Sequence, residues 1–222
     1  ALLTAYACTW GAQQLVPFAN VLLGITGGAI DNRPLSSWDW WVRLPALAAL
    51  ARPTLGGLLG AHIVNLAFWA ASLPFVWDHM CWSAMTELTF VLAVLLGGNR
   101  EDPLSVMQRF LAAGRAQTLV LYCSAAFWKL TTSFLDPRTS CGTVLMAELA
   151  SLLPEALLPA DSALAKAFLH AAPLVTVVGE FSIPLVLWLS PGDGVLLGLA
   201  FHLSIIMLPI NAAGGFSTAC AA

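Results

Sequence analysis

A lysine in an apolar setting raises the first chemical question in this sequence. Lys129 ends a long hydrophobic run within the stretch YCSAAFWKLTTSFLDPRTSCG, residues 122–142. Desolvating an ammonium group is costly, so such a lysine has to reach water, pair with an acid, or lose its proton. Without its proton the amine is a base, and Lys129 would then be chemically active. Its position at the end of the run also allows the side chain to extend toward solvent, so these alternatives stay open.

Other polar residues recur at spacings of three, four or seven within apolar segments, which places them on one helix face. Lipid rejects such groups, so we expect the rows to face one another around a polar interior. Packing between helices explains a Ser, Thr or Asn equally well, whereas the ionisable Glu87, Glu180 and His202 favour function. The rows are His62, Asn65, Trp69 and Ser72; His79, Ser83 and Glu87; Arg115, Thr118, Tyr122 and Lys129; Thr176 and Glu180; and His202 with Asn211.

The composition is that of a membrane protein. Of the 222 residues, 59% are hydrophobic and 9% are charged, against about 45–50% and about 25% in an ordinary soluble domain. The net charge is −3 and no basic run is present, which argues against a nucleic acid partner. The sequence therefore predicts an all-α fold, a polytopic transmembrane helical bundle forming one domain over residues 1–222, with the lipid bilayer as a partner.

Six hydrophobic segments are long enough to cross a hydrocarbon core of about 30 Å as helices. Two further stretches, 31–53 and 142–160, are expected at the membrane interface. The first carries Trp38, Trp40 and Trp41, and the second is short and interrupted by proline. The distribution of Arg and Lys favours a cytoplasmic location for the loops at 31–53 and 99–105. The predicted spans are 2–30, 54–77, 80–98, 106–129, 166–189 and 194–213.

The cysteines and histidines give no metal-binding pattern. The five cysteines lack CxxC spacing and the four histidines lack an HExxH pattern, so no metal is predicted. Cys81 and Cys141 fall on the same predicted side of the membrane, where a disulfide between them is conceivable. Spacing alone does not supply the approach distance that a disulfide needs.

Three stretches, in order, resemble one known family. They are WDHMCWSAMTELTFVLAVLL from residue 77, FWKLTTSFLDPRTSCG from residue 127, and GEFSIPLVLWLSPGDGVLLGLAFHLSIIML from residue 179. Together they resemble the horizontally transferred transmembrane (HTTM) domain family, which includes the vitamin K-dependent gamma-glutamyl carboxylases. The likeness covers about residues 75–216, and the first third matches only in its hydrophobic character.

The resemblance implies a site and a cofactor. In the carboxylases a lysine removes a proton from reduced vitamin K, which starts an oxygen-dependent reaction that ends in carboxylation of glutamate. On this resemblance Lys129 is the expected catalytic base and His79 assists it. Glu180, His202 and Tyr122 are then the expected cofactor-binding residues, and the cofactor is reduced vitamin K or another isoprenoid quinone.

A second class of function fits the same residues. In a non-catalytic membrane carrier or scaffold, the polar rows would line a passage or hold the helices together. The chain begins at Ala1 and ends without a polar tail, so we expect a fragment of a longer protein. The missing part could hold a protein substrate. The expected location is multi-pass in the endoplasmic reticulum or another endomembrane, or in the plasma membrane.

Overall fold

The computed structural model describes residues 1–23, 29–30, 33–34, 37–73, 78–97, 102–159 and 161–206. Within these residues the chain is helical apart from two paired strands, β1 (Ala29–Ile30) and β2 (Arg33–Pro34), which run antiparallel. The predicted all-α fold class is confirmed. The helices are α1 (Leu2–Leu22), α2 (Ser37–Ala51), α3 (Leu55–Ser72), α4 (Asp78–Gly97), α5 (Pro103–Trp128), α6 (Thr132–Leu135), α7 (Cys141–Ser151), α8 (Ala163–Leu189) and α9 (Pro191–Ile206).

Hydroxyl side chains fix where several helices begin. Thr54 accepts a hydrogen bond from the Gly57 N–H at the start of α3, and Ser162 accepts one from the Ala165 N–H at the start of α8. Thr131 does the same for α6. Each of these residues has extended backbone dihedrals and satisfies one of the N–H groups that a helix start leaves without a partner.

Two of the described helices, α3 and α8, are long and apolar enough to cross a membrane. Each of the six predicted spans contains a helix, but a six-span bundle stays a prediction. The predicted continuation of the first helix to residue 30 is wrong, because α1 ends at Leu22 and residues 29–30 form β1. Residues 207–213 of the last predicted span lie outside the described residues.

Large apolar side chains cover the outer faces of several helices. On α8, Leu174, Val178 and Leu185 are each more than half exposed, and on α4 the same holds for Leu95 and Leu96. Large contiguous apolar faces are uncommon on soluble monomers and typical of helices that contact lipid. This distribution supports membrane association.

The chain divides into two compact units, and the division falls within α5. Unit 1 comprises residues 1–115 and unit 2 comprises the described residues from 116 onward. The core of unit 1 combines aromatic side chains such as Trp10, Phe90 and Phe110 with small ones such as Ala46 and Ala61. Small residues allow the helix backbones to approach closely.

Unit 2 contains a tight helical hairpin formed by α8 and α9. The Ser190 hydroxyl donates a hydrogen bond to Asp193 over 2.6 Å at the turn between them. A Cβ atom at Gly194 would lie 2.3 Å from the Leu187 Cα atom. No side chain fits in that space, so glycine is required where α9 crosses α8.

Candidate functional site

Lys129 and Glu180 form a close ion pair in unit 2. The Lys129 Nζ atom donates hydrogen bonds to both carboxylate oxygens of Glu180, over 2.8 and 2.7 Å. The Lys129 side chain is 28% exposed and that of Glu180 is 7% exposed. Of the alternatives that the sequence left open, the observed contact is pairing with an acid. A charge-assisted contact to both oxygens is stronger than a neutral hydrogen bond.

Local structure around the end of α5 holds the lysine in place. Lys129 directly follows α5, and its backbone N–H donates to the Ala126 carbonyl over 3.2 Å. The chain then turns into α6, which begins after Thr131. This turn brings the Phe134 ring centroid to 5.9 Å from the Lys129 Nζ atom. An ammonium group above a ring face is attracted by the ring quadrupole, so Phe134 adds to the contact with Glu180.

Tyr122 and His202 form a second pair in unit 2. A hydrogen bond of 2.5 Å joins the Tyr122 hydroxyl and His202 Nε2, and both side chains are buried. Tyr122 lies in α5, and Lys129 follows that helix seven residues later in the chain. The fully buried Ala126 lies between them. Four of the five predicted site residues are therefore brought into one unit, as two separate pairs.

An open apolar groove lies on the surface of α5 and α8, and we call it the aromatic groove. Its lining includes the residues directly next to the ion pair in sequence, Trp128 before Lys129 and Phe181 after Glu180. The lining residues are Cys123, Ser124, Phe127, Trp128 and Phe181.

Comparisons of the chain with protein-family models, curated proteins and solved structures found no match. The resemblance to the HTTM family therefore stays a prediction.

The predicted assisting residue, His79, lies in α4 of unit 1, and its side chain is outside the described residues. Its role beside Lys129 stays a prediction. Within the part of the chain that the structure describes, no three His, Cys, Asp or Glu side chains form a group that could hold a metal. Cys81 in unit 1 and Cys141 in unit 2 are exposed free thiols, and the conceivable disulfide between them stays a prediction.

Unit 1 contains a second group of polar side chains, which we call the unit 1 polar cluster: Tyr6, Trp10, His62, Asn65 and Glu87. The Trp10 N–H and the Asn65 amide N–H both donate to Oε1 of Glu87, the former over 3.1 Å. Another hydrogen bond, of 3.1 Å, joins the Tyr6 hydroxyl and His62 Nε2. The cluster links α1, α3 and α4.

Sequence reasoning found only part of this cluster. It singled out His62, Asn65 and Glu87 but missed their partners Tyr6 and Trp10 on α1. A signal was present, because Tyr6, Trp10, Gln13 and Gln14 recur at spacings of four, seven and eight. Such spacings define one helix face.

Sequence reasoning placed Arg43 in the interfacial stretch 31–53 and did not predict that it is buried. The structure places Arg43 in α2, where it is buried and donates to the Gln14 side-chain oxygen over 2.8 Å. Asp39, on the same helix, is fully buried. The other side of α2 exposes Trp40 and Trp41. One face of α2 is therefore buried, and its other face exposes two tryptophan side chains.

Proposed function

We propose that the protein is an integral membrane enzyme that carries out acid–base chemistry on a hydrophobic quinol, with Lys129 as the base and Glu180 as its partner. The reaction class is quinone-dependent oxidation or carboxylation. A multi-pass location in an endomembrane or in the plasma membrane belongs to the same proposal. For carboxylation, a protein substrate belongs to the same proposal.

The observation that carries the proposal is the ion pair, whose sequence neighbours Trp128 and Phe181 line the aromatic groove. Lys129 is the partly exposed member, so a ligand in the groove could reach the amine, whereas Glu180 is shielded. For the ion pair to act as a base, the lysine passes its proton to the carboxylate as the quinol gives one to the amine, so that the pair as a whole gains one proton. The neutral amine is the form that accepts a proton.

The residues of the aromatic groove suit a quinol with an isoprenoid tail. Phe127, Trp128 and Phe181 provide ring faces and apolar carbons, and Ser124 provides one hydroxyl group. Binding sites for small apolar molecules usually combine aromatic walls with few polar groups. A bound quinol would supply a dissociable hydroxyl proton and reducing equivalents for oxygen.

Each residue of the site has a distinct role in this proposal. Lys129 accepts a proton at Nζ, and Glu180 holds the proton that the amine has released. Phe134 lies over the amine and in this proposal keeps water away from the reacting groups. Tyr122 and His202, two turns away, form a buried hydrogen-bonded pair that positions α5 against α9.

A lysine-to-arginine exchange tests the proposal. In Lys129→Arg the new side chain would keep a positive charge beside Glu180, but a guanidinium does not lose its proton and cannot act as a base. We expect this variant to lower the oxidation of reduced vitamin K in lipid nanodiscs by about 100-fold or more, the usual contribution of a catalytic base. Lys166→Arg, at an exposed position of α8, is the control. Protein-free nanodiscs correct for spontaneous oxidation.

Two results would contradict the enzymatic proposal. If wild-type protein oxidises the quinol no faster than protein-free nanodiscs do, the protein does not have the proposed activity. If Lys129→Arg turns over as fast as wild type, Lys129 is not the base.

A non-catalytic membrane scaffold or carrier is the second candidate. One observation favours it: polar side chains in each unit bind one another across helices, as Glu180 binds Lys129 and Glu87 binds Trp10 and Asn65. Such bonds hold a helix bundle together. If this candidate is correct, Lys129→Arg and wild type have equal stability and neither consumes the quinol.

A further inference from the structure

The two oxygens of the Glu87 carboxyl group have very different surroundings. Oε1 accepts hydrogen bonds from Trp10 and Asn65, and the residue is 2% exposed. Among the residues that the structure describes, none forms a hydrogen bond with Oε2. Burying an ionised carboxylate in an apolar core costs free energy when one of its oxygens accepts no hydrogen bond. A proton on that oxygen removes the charge.

We propose that the unit 1 polar cluster is a proton-binding centre, in which Glu87 takes up a proton on Oε2 and releases it again. A proton needs no cavity, which fits the close packing around the cluster. The centre is independent of the proposed quinol site, because it uses other residues and lies in the other unit.

The charged and titratable neighbours allow both states of Glu87. From α2, the buried Arg43 carries a positive charge, and its guanidinium donates to the Gln14 side-chain oxygen. Asp39, the other ionisable residue buried on α2, is an acid. From α1 and α3, Tyr6 and His62 contribute a hydrogen-bonded pair. From α5, Arg109 donates to the Ala93 carbonyl on α4 over 2.6 Å.

A polar contact next to the cluster offers the proton a route. Gln13 Nε2 donates to the Ser83 hydroxyl over 3.3 Å, and this bond is only partly buried. Ser83 lies one turn before Glu87 on α4, and Gln13 lies nearly one turn after Trp10 on α1. Side chains at these spacings are neighbours on their helices. The route thus leads from Glu87 toward a less buried contact between the same two helices.

The infrared spectrum of the protein in nanodiscs tests the proposal, because a protonated carboxyl group has its own carbonyl band. We expect a band that disappears as the pH rises, is lost in Glu87→Gln and is kept in Glu155→Gln, an exposed position. A spectrum of Glu87→Gln identical to that of wild type at every pH, or no difference between their carbonyl bands in folded protein, would overturn the proposal.

A second pair of variants tests the centre even if Glu87→Gln fails to fold. Trp10→Phe removes a donor to the ionised carboxylate, so the band should persist to a pH about one unit higher. Trp69→Phe is the matched control, because the Trp69 N–H forms no hydrogen bond within the described chain. Equal midpoints in Trp10→Phe, Trp69→Phe and wild type would contradict a titrating Glu87.

Discussion

In unit 1 the carboxyl group of Glu87 meets two neutral donors, Trp10 and Asn65, whereas in unit 2 that of Glu180 meets the amine of Lys129. Glu87 is almost completely buried, while Lys129 keeps over a quarter of its side chain exposed. Neutral donors tolerate a carboxyl group in either protonation state, but a cation selects for the anion. Similar carboxyl groups can therefore serve proton storage in one unit and charge pairing in the other.

The largest expected effect comes from removing the cation in unit 2. Lys129→Met leaves the shielded Glu180 carboxylate without its partner, and we expect the free energy of unfolding to fall by about 3 kcal/mol. Unfolding by SDS titration in mixed micelles measures the change. The double variant Lys129→Met/Glu180→Met should recover most of the loss, because no buried charge remains. A single variant as stable as wild type would show that the pair contributes no stability.

A backbone contact in unit 2 gives the next effect. Gly194→Ala would place a methyl group within 2.3 Å of the Leu187 backbone, and we expect it to destabilise the α8–α9 hairpin by about 2 kcal/mol. Gly192→Ala is the control, because a Cβ atom there meets nothing within 4 Å. Hydrogen exchange of α8 and α9 amides should accelerate in Gly194→Ala alone. Unchanged exchange would mean that the two helices separate easily at this contact.

Each unit has one tyrosine–histidine hydrogen bond, which permits a direct comparison. We expect Tyr6→Phe to cost about 1 kcal/mol and Tyr122→Phe somewhat more. The reason is that the Tyr122–His202 bond is shorter and fully buried, 2.5 Å against 3.1 Å for the partly buried Tyr6–His62 bond. SDS titration measures both variants. A larger loss in Tyr6→Phe would reverse this ranking of the two bonds.

The sequence predicted helices and polar faces better than it predicted contacts. Each of the six spans predicted from hydropathy overlaps a described helix, because a long apolar run favours a helix. Hydropathy overextended the first helix, since residues 23–30 are also apolar and hydropathy does not report where hydrogen bonding changes. Spacing predicted one helix face for Tyr122 and Lys129, but α5 ends at Trp128, one residue before the lysine.

Pairing between helices lay beyond sequence reasoning. The acid nearest to Lys129 in space, Glu180, is 51 residues away in the chain, and helix periodicity says nothing about which faces meet. Arg43 illustrates the same limit. The prolines and charges of its segment indicated the membrane interface, yet the residue is buried because Gln14 on α1 accepts from its guanidinium.

The smallest effect concerns a pair at the surface of unit 2, where charge pairing has little influence on stability. Hydrogen bonds from the Arg138 side chain and backbone N–H lower the pKa of Asp136 from 3.8 to about 2. Since the folded-state pKa is the lower one, any stabilisation is complete above pH 3.8 and is lost as the pH falls through about 2. In Arg138→Gln we expect the Asp136 pKa, measured by carboxyl-carbon NMR, to return toward 3.8. The free energy of unfolding at neutral pH should not change measurably. If the Asp136 midpoint stays near 2 in the variant, the backbone N–H of residue 138, rather than the guanidinium charge, holds the carboxylate. The low pKa of Asp136 would then come from a backbone hydrogen bond, whereas the Lys129–Glu180 contact joins two side chains.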